Sequence, residues 1–362
     1  MKHKLIPLLL TSLLLLPSCS NTKTYEVNDY RLTMNFHEDF KILQLTDLHL
    51  GIESDLNLQL NFVNKAILEN NPDLIILTGD NFMYASKNTV IQLINNLNIT
   101  CKKLNDLNKD GKLTKFAITF GNHDNQGDYY RYFINEVVLN FVAKDGEERK
   151  ENKYAAFIDY EDDNIFGLTN YYIDLVDDRT KSKDEVDVKY RLHIIDSNTY
   201  VFNGVKYNYD VIHDDQLNHV NNIYKTATKD KDYIGLAFFH IPFIEYRDAI
   251  NHYKNNGETV GQGLFVDKDH FPTANNGTYK TFKDSNISAF FTGHDHRNYG
   301  DIIYDNSIFS YGVKSTNQLY HNDDMIGYKI INLKDVTKDE FINIDYVKSN
   351  FINVINRNGE YE

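Results

Sequence analysis

Apolar residues in this chain fall into short unbroken runs, and several of these runs stop abruptly at polar residues. Residues 41–51 (KILQLTDLHLG), 74–80 (LIILTGD) and 115–124 (KFAITFGNHD) share this layout. A short apolar run bounded by turn residues reads as a strand buried on both faces. Between the first two, Leu56, Leu60, Val63 and Ile67 recur at helical spacing until "NNPD", where Pro72 follows a stop signal. A second helical pattern runs from Val90 to Leu107 and closes at "NKDGK", and a third follows residue 124 in "YYRYFINEVVLNF". Strand, helix, strand, helix, strand is the signature of parallel βαβ units, so the fold class is α/β.

The pattern continues less regularly. "FVAKDGEERKENKYA" and "DDRTKSKDEVD" are charged stretches that read as solvated loops. "YAAFIDY" and "NIFGLTNYYIDLV" predict a hairpin, "YRLHIIDSNTY" a strand, and "DDQLNHVNNIYKTA" a helix. "YIGLAFFHIP" and "NISAFFTGHDH" are again buried strands with polar ends, and "DIIYDNSIFSYG", "MIGYKIINL" and "FINIDYV" predict antiparallel strands. With no internal repeat or low-complexity linker, residues 41–362 read as one domain, in which strands within 301–350 complete a second sheet.

The start of the chain has a different character. Lys2 and Lys4 precede an apolar stretch from Leu5 to Leu16, followed by "LPSC" ending at Cys19. A basic start, a short apolar core and a small residue before cysteine read as an export signal over residues 1–19, and Cys19 resembles the lipid-attachment site of bacterial lipoproteins. Residues 20–40 are then a tether. The expected location is exported, held at the cell membrane through lipid on Cys19 or secreted. Cys101 is the other of 2 cysteines, in an apolar helical pattern, and reads as a buried small residue. The net charge of −14 argues against tight, sequence-independent nucleic-acid binding, which needs a basic patch. It leaves open a small phosphorylated substrate or a phosphoprotein met by a local positive centre.

The chemistry sits at the ends of the apolar runs, where α/β sheets bind ligands. The residues there are Asp47 and His49, Asp80, Asn122 and His123, His240, and His294 and His296. Carboxylate, imidazole and amide oxygen suit divalent Mn, Fe or Zn. His294 and His296, two positions apart, share one side of an ideal strand; a turn beginning at Gly293 lets them face neighbouring metals. Gly79 and Gly121 likewise precede ligands, where backbone must bend or approach closely.

These motifs, D-x-H, G-D, G-N-H-D, a lone His and G-H-x-H in that order, resemble the calcineurin-like metallophosphoesterase set, and the resemblance spans about residues 40–315. "FFHIPFIEY" and "FFTGHDHRNYG" resemble the purple-acid-phosphatase-like subgroup. The resemblance implies a four-layer α-β-β-α sandwich with mixed sheets and the metal site at the carboxyl ends of the strands. It implies one metal on Asp47, His49, Asp80 and His296, and another on Asp80, Asn122, His240 and His294, with Asp80 bridging. It also implies hydrolysis of phosphate esters by a hydroxide between the two metals, with His123 as the phosphate-facing acid. Where purple acid phosphatases carry a metal-bound tyrosine this chain has Met83, with Tyr84 next, and it has His49 where they carry glycine. A tyrosinate–iron site is therefore not expected, and the group that orients His123 is open, Asp124 being its neighbour. Phosphomonoesterase is the leading reading. A phosphodiesterase or nucleotidase on the same site is the alternative, and a non-catalytic surface binding lipoprotein a third. His193, His213, His219, His252 and His270 belong to no motif and read as structural or surface. Arg297, Asn298, Glu245, Tyr246 and Tyr84 are candidates for the substrate pocket.

Overall fold

The computed structural model describes residues 27–351, apart from segments 52–54, 109–110, 128–130, 142–149, 159–164, 178–186, 227–231, 258–262, 268–269, 323–324 and 335–346. The export segment and Cys19 lie outside the described residues.

The three leading runs form the parallel centre of a five-stranded sheet: β2 (Phe40–Leu45), β3 (Leu74–Thr78) and β4 (Lys115–Thr119). Every residue of β3 is buried, as expected of a strand covered on both faces. Two helices connect these strands. α1 (Leu56–Asn70) is capped by the Asp55 carboxylate, which accepts from Leu58 N–H, and it ends at left-handed Asn71, ahead of Pro72. α2 (Lys87–Leu107) starts at Ser86 and buries Val90, Leu93, Ile94, Leu97, Cys101 and Leu104 along one face. Each such side chain contributes about 1.5–3 kcal/mol. Cys101 is free and buried, and burial pushes its thiol up to about 12. α3 (Arg131–Leu139) follows and leads into a short ribbon, β5 (Asn140–Phe141) with β6 (Lys150–Glu151).

A second sheet of eight strands packs on the first through a common apolar core. Its middle is parallel: β8 (Asp187–Ile195), β11 (Ile234–Phe238), β13 (Ile287–Thr292) and β15 (Ser307–Tyr311). β7 (Asn170–Asp177) flanks β8 antiparallel, and β1 (Arg31–Asn35) adds beyond it; β14 (Asn298–Tyr304) and β12 (Leu264–Phe265) close the other edge. A small hairpin, β9 (Tyr200–Phe202) with β10 (Tyr207–Tyr209), rises after β8. Helices α4 (Asp214–Thr226), α5 (Tyr246–Asn256) and α6 (Thr278–Asp284) also belong to this half. The molecule is a mixed α/β sandwich.

Three expectations need correction. Residues 20–40 are not all tether: Arg31–Asn35 is paired strand, anchored by Arg31 to buried Asp174. The hairpin partner of β7 is β8 and not "YAAFIDY", whose Ala155 makes an isolated bridge to Phe116. The last strands also split between the sheets. β14 and β15 join the eight-stranded sheet, whereas β16 (Gly327–Leu333) pairs with β2 and carries β17 (Val347–Phe351) with it. Strand periodicity tells which face is apolar but not which of two apolar sheets receives it.

The second sheet contains a buried charge. Arg191 is fully enclosed, bonded to Asp174 at 2.7 and 2.9 Å and stacked on Tyr172 and Tyr233. Removing the carboxylate strands a cation in the core. Asp174→Ala should therefore lower the unfolding free energy by about 3–5 kcal/mol. Loss of the exposed Lys102–Asp106 pair should leave the unfolding free energy almost unchanged. Urea denaturation of both variants checks the contrast.

Candidate metal centre

The candidate ligands converge at one end of both sheets, on the turns that follow β2, β3, β4, β11 and β13. The turns are tightly made. Asp47 N–H donates to Gly79 O, and His49 N–H to Asp80 O, so the first two turns run side by side. Asp47, His49, Asp80 and His294 all sit at positive φ, 56°, 47°, 50° and 76°. Non-glycine residues avoid that region, and such strain gathers at functional sites. Gly79, at φ 90°, could not carry a side chain: a Cβ would lie 2.6 Å from His240 Cβ. At Gly293 a Cβ would meet Thr46 Oγ1 at 1.9 Å and Asp47 Oδ2 at 2.7 Å. These glycines let the histidine and the carboxylate close onto neighbouring backbone.

Two clusters result, and they share Asp80. Asp47, His49, Asp80 and His296 offer ligand atoms that all lie within 4.8 Å of one another, and Asp80, His240 and His294 do the same. Asp80 Oδ2 is 3.2 Å from His49 Nε2 and 3.1 Å from His240 Nε2; Asp47 Oδ1 is 3.3 Å from His296 Nε2. The turn at Gly293 thus sends His294 and His296 into different clusters.

The fit to metal rests on unmet buried atoms. Nε2 of His49, His240 and His294 and Oδ1 of Asn122 are buried with no hydrogen bond of acceptable geometry, although His49 and His240 stand close to Asp80. Donor atoms about 2.0–2.2 Å from one tetrahedral cation lie roughly 3.3–3.6 Å apart, close to the 3.1–3.3 Å spacings found here. The opposite ring nitrogens are fixed from behind. His240 Nδ1 is 2.8 Å from Thr78 O, His296 Nδ1 is 2.8 Å from Tyr320 O, and Lys314 Nζ is 3.2 Å from His49 Nδ1. Such outer partners orient metal-binding imidazoles.

Electrostatics separate the two halves of the site. Burial penalises charge on His49, and Lys314 adds to this, so its pKa falls to about 4. Burial also opposes charge on His240, but Asp80 and Asp47 outweigh it and raise the group to about 9. Burial alone would push the Asp47 and Asp80 carboxyls up; the surrounding histidines instead hold both well below the usual carboxylate range. Lys314 is lowered by burial to about 8.

His123 lies beside the clusters, its Nε2 4.0 Å from Asp80 Oδ2 and its N–H donating to Asp80 Oδ1. Its orienter is Gln126, whose Oε1 is 2.8 Å from His123 Nδ1. Asp124 points elsewhere: it accepts from Phe82 N–H and Gly121 N–H and so ties two of the turns together. Burial and the Asp80 charge raise its carboxyl to about 7.

Several other candidates move. Tyr246 is core, its hydroxyl donating to Phe290 O, and Glu245 accepts from Asn275. Arg297 is bound by Asp267, and Asn298 accepts from the Val266 and Asp267 N–H groups, so both staple a loop. Tyr84 is half-exposed after Asp80. His193 is core, His219 bonds Asn170 O, and His213 stacks on Phe166. His270 lies nearest the site among the unassigned histidines: its Nδ1 is 2.7 Å from Asp295, between the two candidate ligands His294 and His296. Sequence reading also missed Gln126, Lys314, Tyr200, Tyr209 and Tyr320, which lie outside the motifs.

The sequence model of the calcineurin-like phosphoesterase family matches residues 40–298. "Phosphatase DCR2" of Saccharomyces cerevisiae is 24% identical over 300 residues, covering 76% of this chain and 47% of that protein. "Probable inactive purple acid phosphatase 29" of Arabidopsis thaliana is 24% identical over 297 residues, covering 74% of this chain and 69% of that protein. The chain thus spans about half the length of the yeast relative. Among solved structures, a dimetal phosphatase from Danio rerio aligns at 10% identity and a TM-score of 0.46, over 83% of this chain and 96% of that one.

Proposed function

The chain belongs to the calcineurin-like phosphoesterase family, and on that premise we propose that it hydrolyses phosphate monoesters with two divalent cations, Mn, Fe or Zn. The observation that carries this reading is the shared Asp80 between two buried clusters in which Nε2 of His49, His240 and His294 makes no hydrogen bond of acceptable geometry. Asp47, His49, Asp80 and His296 would hold one cation, and Asp80, Asn122, His240 and His294 the other. When bound, such a pair supplies Lewis-acid polarisation of the phosphoryl group and activates water for attack at neutral pH.

The residues of the chain do the rest. Thr78 O and Tyr320 O fix which nitrogen of His240 and of His296 faces inward. Lys314 donates to Asp47 O and braces that turn from beneath. Gln126 at Nδ1 leaves His123 Nε2 facing the centre, where it can donate a proton to the leaving oxygen.

The deciding experiment strips the purified protein with a chelator and returns Mn²⁺, Zn²⁺ or Fe²⁺ singly. Two bound cations per chain and faster turnover of a chromogenic monoester than of the matching diester are expected. A faster diester would favour the phosphodiesterase reading. Tight binding of cations without turnover of any ester would favour a binding lipoprotein.

We also propose export and attachment to the membrane through lipid on Cys19. Among the described residues no helix is long and apolar enough to cross a membrane. Cys19→Ser should shift the protein from the membrane fraction to the soluble one, as fractionation and immunoblotting would show.

A further inference from the structure

The hairpin β9–β10 carries an aromatic ladder that begins at the metal centre and runs into solvent. Its strands pair Tyr200 opposite Tyr209 and Phe202 opposite Tyr207. The Tyr200 and Tyr209 rings stack at 5.4 Å, and the Phe202 and Tyr207 rings meet at 5.2 Å. The inner pair touches the candidate ligands. Asn122 Nδ2 donates to Tyr200 Oη at 2.7 Å, and the Tyr209 ring stands edge-on to His294 at 4.4 Å. The outer pair is open, with Phe202 54% and Tyr207 71% exposed. The turn beyond it is well made, Asn203 Oδ1 accepting from both Val205 and Lys206 N–H. On the other side of the centre Tyr320 lies flat on His296 at 4.2 Å.

Rings of this size normally go to the core, and a contiguous exposed set marks a binding surface. The charges around the centre narrow the choice of partner. Lys314 is buried and committed to Asp47 O and His49, and Arg297 is bound by Asp267. The cations would meet the phosphate, and the next surface outward is aromatic. The chain's net charge of −14 disfavours a polyanion.

Resting on the phosphomonoesterase reading above, we propose that the hairpin is the leaving-group subsite and selects phosphate monoesters whose alcohol carries a flat aromatic group. The first ring of the alcohol packs at the Tyr200–Tyr209 pair, and a second extends along Phe202 and Tyr207.

The test compares kcat/KM of the metal-loaded full chain on ethyl, cyclohexylmethyl, benzyl and 4-phenylbenzyl phosphates, whose alcohols leave with similar intrinsic difficulty. Each stacked ring should raise kcat/KM about threefold to tenfold, so benzyl exceeds cyclohexylmethyl and 4-phenylbenzyl exceeds benzyl. The double variant Phe202→Ser/Tyr207→Ser, at exposed positions, should bring the 4-phenylbenzyl to benzyl ratio to near unity. Cleavage without aromatic preference, or a variant that keeps the ratio, overturns this inference alone. If the variant keeps the ratio but loses binding to phosphatidylglycerol vesicles, the ladder is a membrane contact instead. If the wild type cleaves none of the four esters, the phosphomonoesterase reading itself falls and this inference falls with it.

Discussion

Asp80→Asn is expected to abolish phosphate-ester hydrolysis and to reduce bound metal below two cations per chain, with the fold retained. The substitution keeps size and shape. It removes the one carboxylate common to both clusters, whose Oδ2 lies 3.2 Å from His49 Nε2 and 3.1 Å from His240 Nε2. The histidines around it hold the Asp80 carboxyl ionised against the cost of burial, and a neutral amide cannot supply that charge to two neighbouring cations. Asp80 Oδ1 also accepts the His123 N–H, so the change disturbs the acid as well. The loss should greatly exceed the roughly 10–100-fold that follows removal of an outer partner of a ligand. Elemental analysis of the dialysed protein beside its turnover number checks both halves. A variant that keeps two cations and most of its turnover would remove Asp80 from the bridging position.

How far this site could be read from the chain depends on distance along it. Asp47, His49, Asp80, Asn122, His240, His294 and His296 each stand at the end of an apolar run, so the strand pattern drew attention to them and the family resemblance supplied their expected roles. Their glycines marked the tight turns. Supporting residues carried no such mark. Gln126 lies three positions after His123 in a loop, and no period singles it out. Asp124 was the nearer carboxylate, yet the turns after β3 and β4 leave the Phe82 and Gly121 N–H groups needing an acceptor, and Asp124 meets them. Lys314 reaches Asp47 only through the parallel bridge of Thr46 with Lys314, a contact between residues far apart in the chain. His270 read as structural or surface; its partner proves to be Asp295, inside the GHDH motif. The strand assignments failed where a strand had two sheets to choose from. β14–β15 and β16–β17 have similar patterns, and only the packing of whole sheets decides which edge takes which pair.

His123→Ala should separate chemistry from metal binding. The imidazole is half-buried beside the clusters but belongs to neither of them, so the alanine variant should still bind two cations. A proton donor matters most when the departing alcohol is a poor leaving group. With ethyl phosphate the variant should therefore lose about 10²–10⁴-fold in kcat. With a nitrophenyl ester, whose phenolate leaves without protonation, it should lose far less. Gln126→Ala removes the hydrogen bond at Nδ1 and frees the ring to turn. Its losses should follow the same dependence on leaving group at smaller amplitude, and Gln126→Glu, which keeps an acceptor at that atom, should restore part of the ethyl phosphate rate. Asp124→Asn should behave differently, because its carboxylate holds backbone and not the imidazole. Its cost should appear in thermal stability, with the ratio of ethyl to nitrophenyl rates unchanged. A loss in His123→Ala that is equal for both esters would instead place the imidazole on the phosphoryl group itself, acting on charge that develops whatever the alcohol.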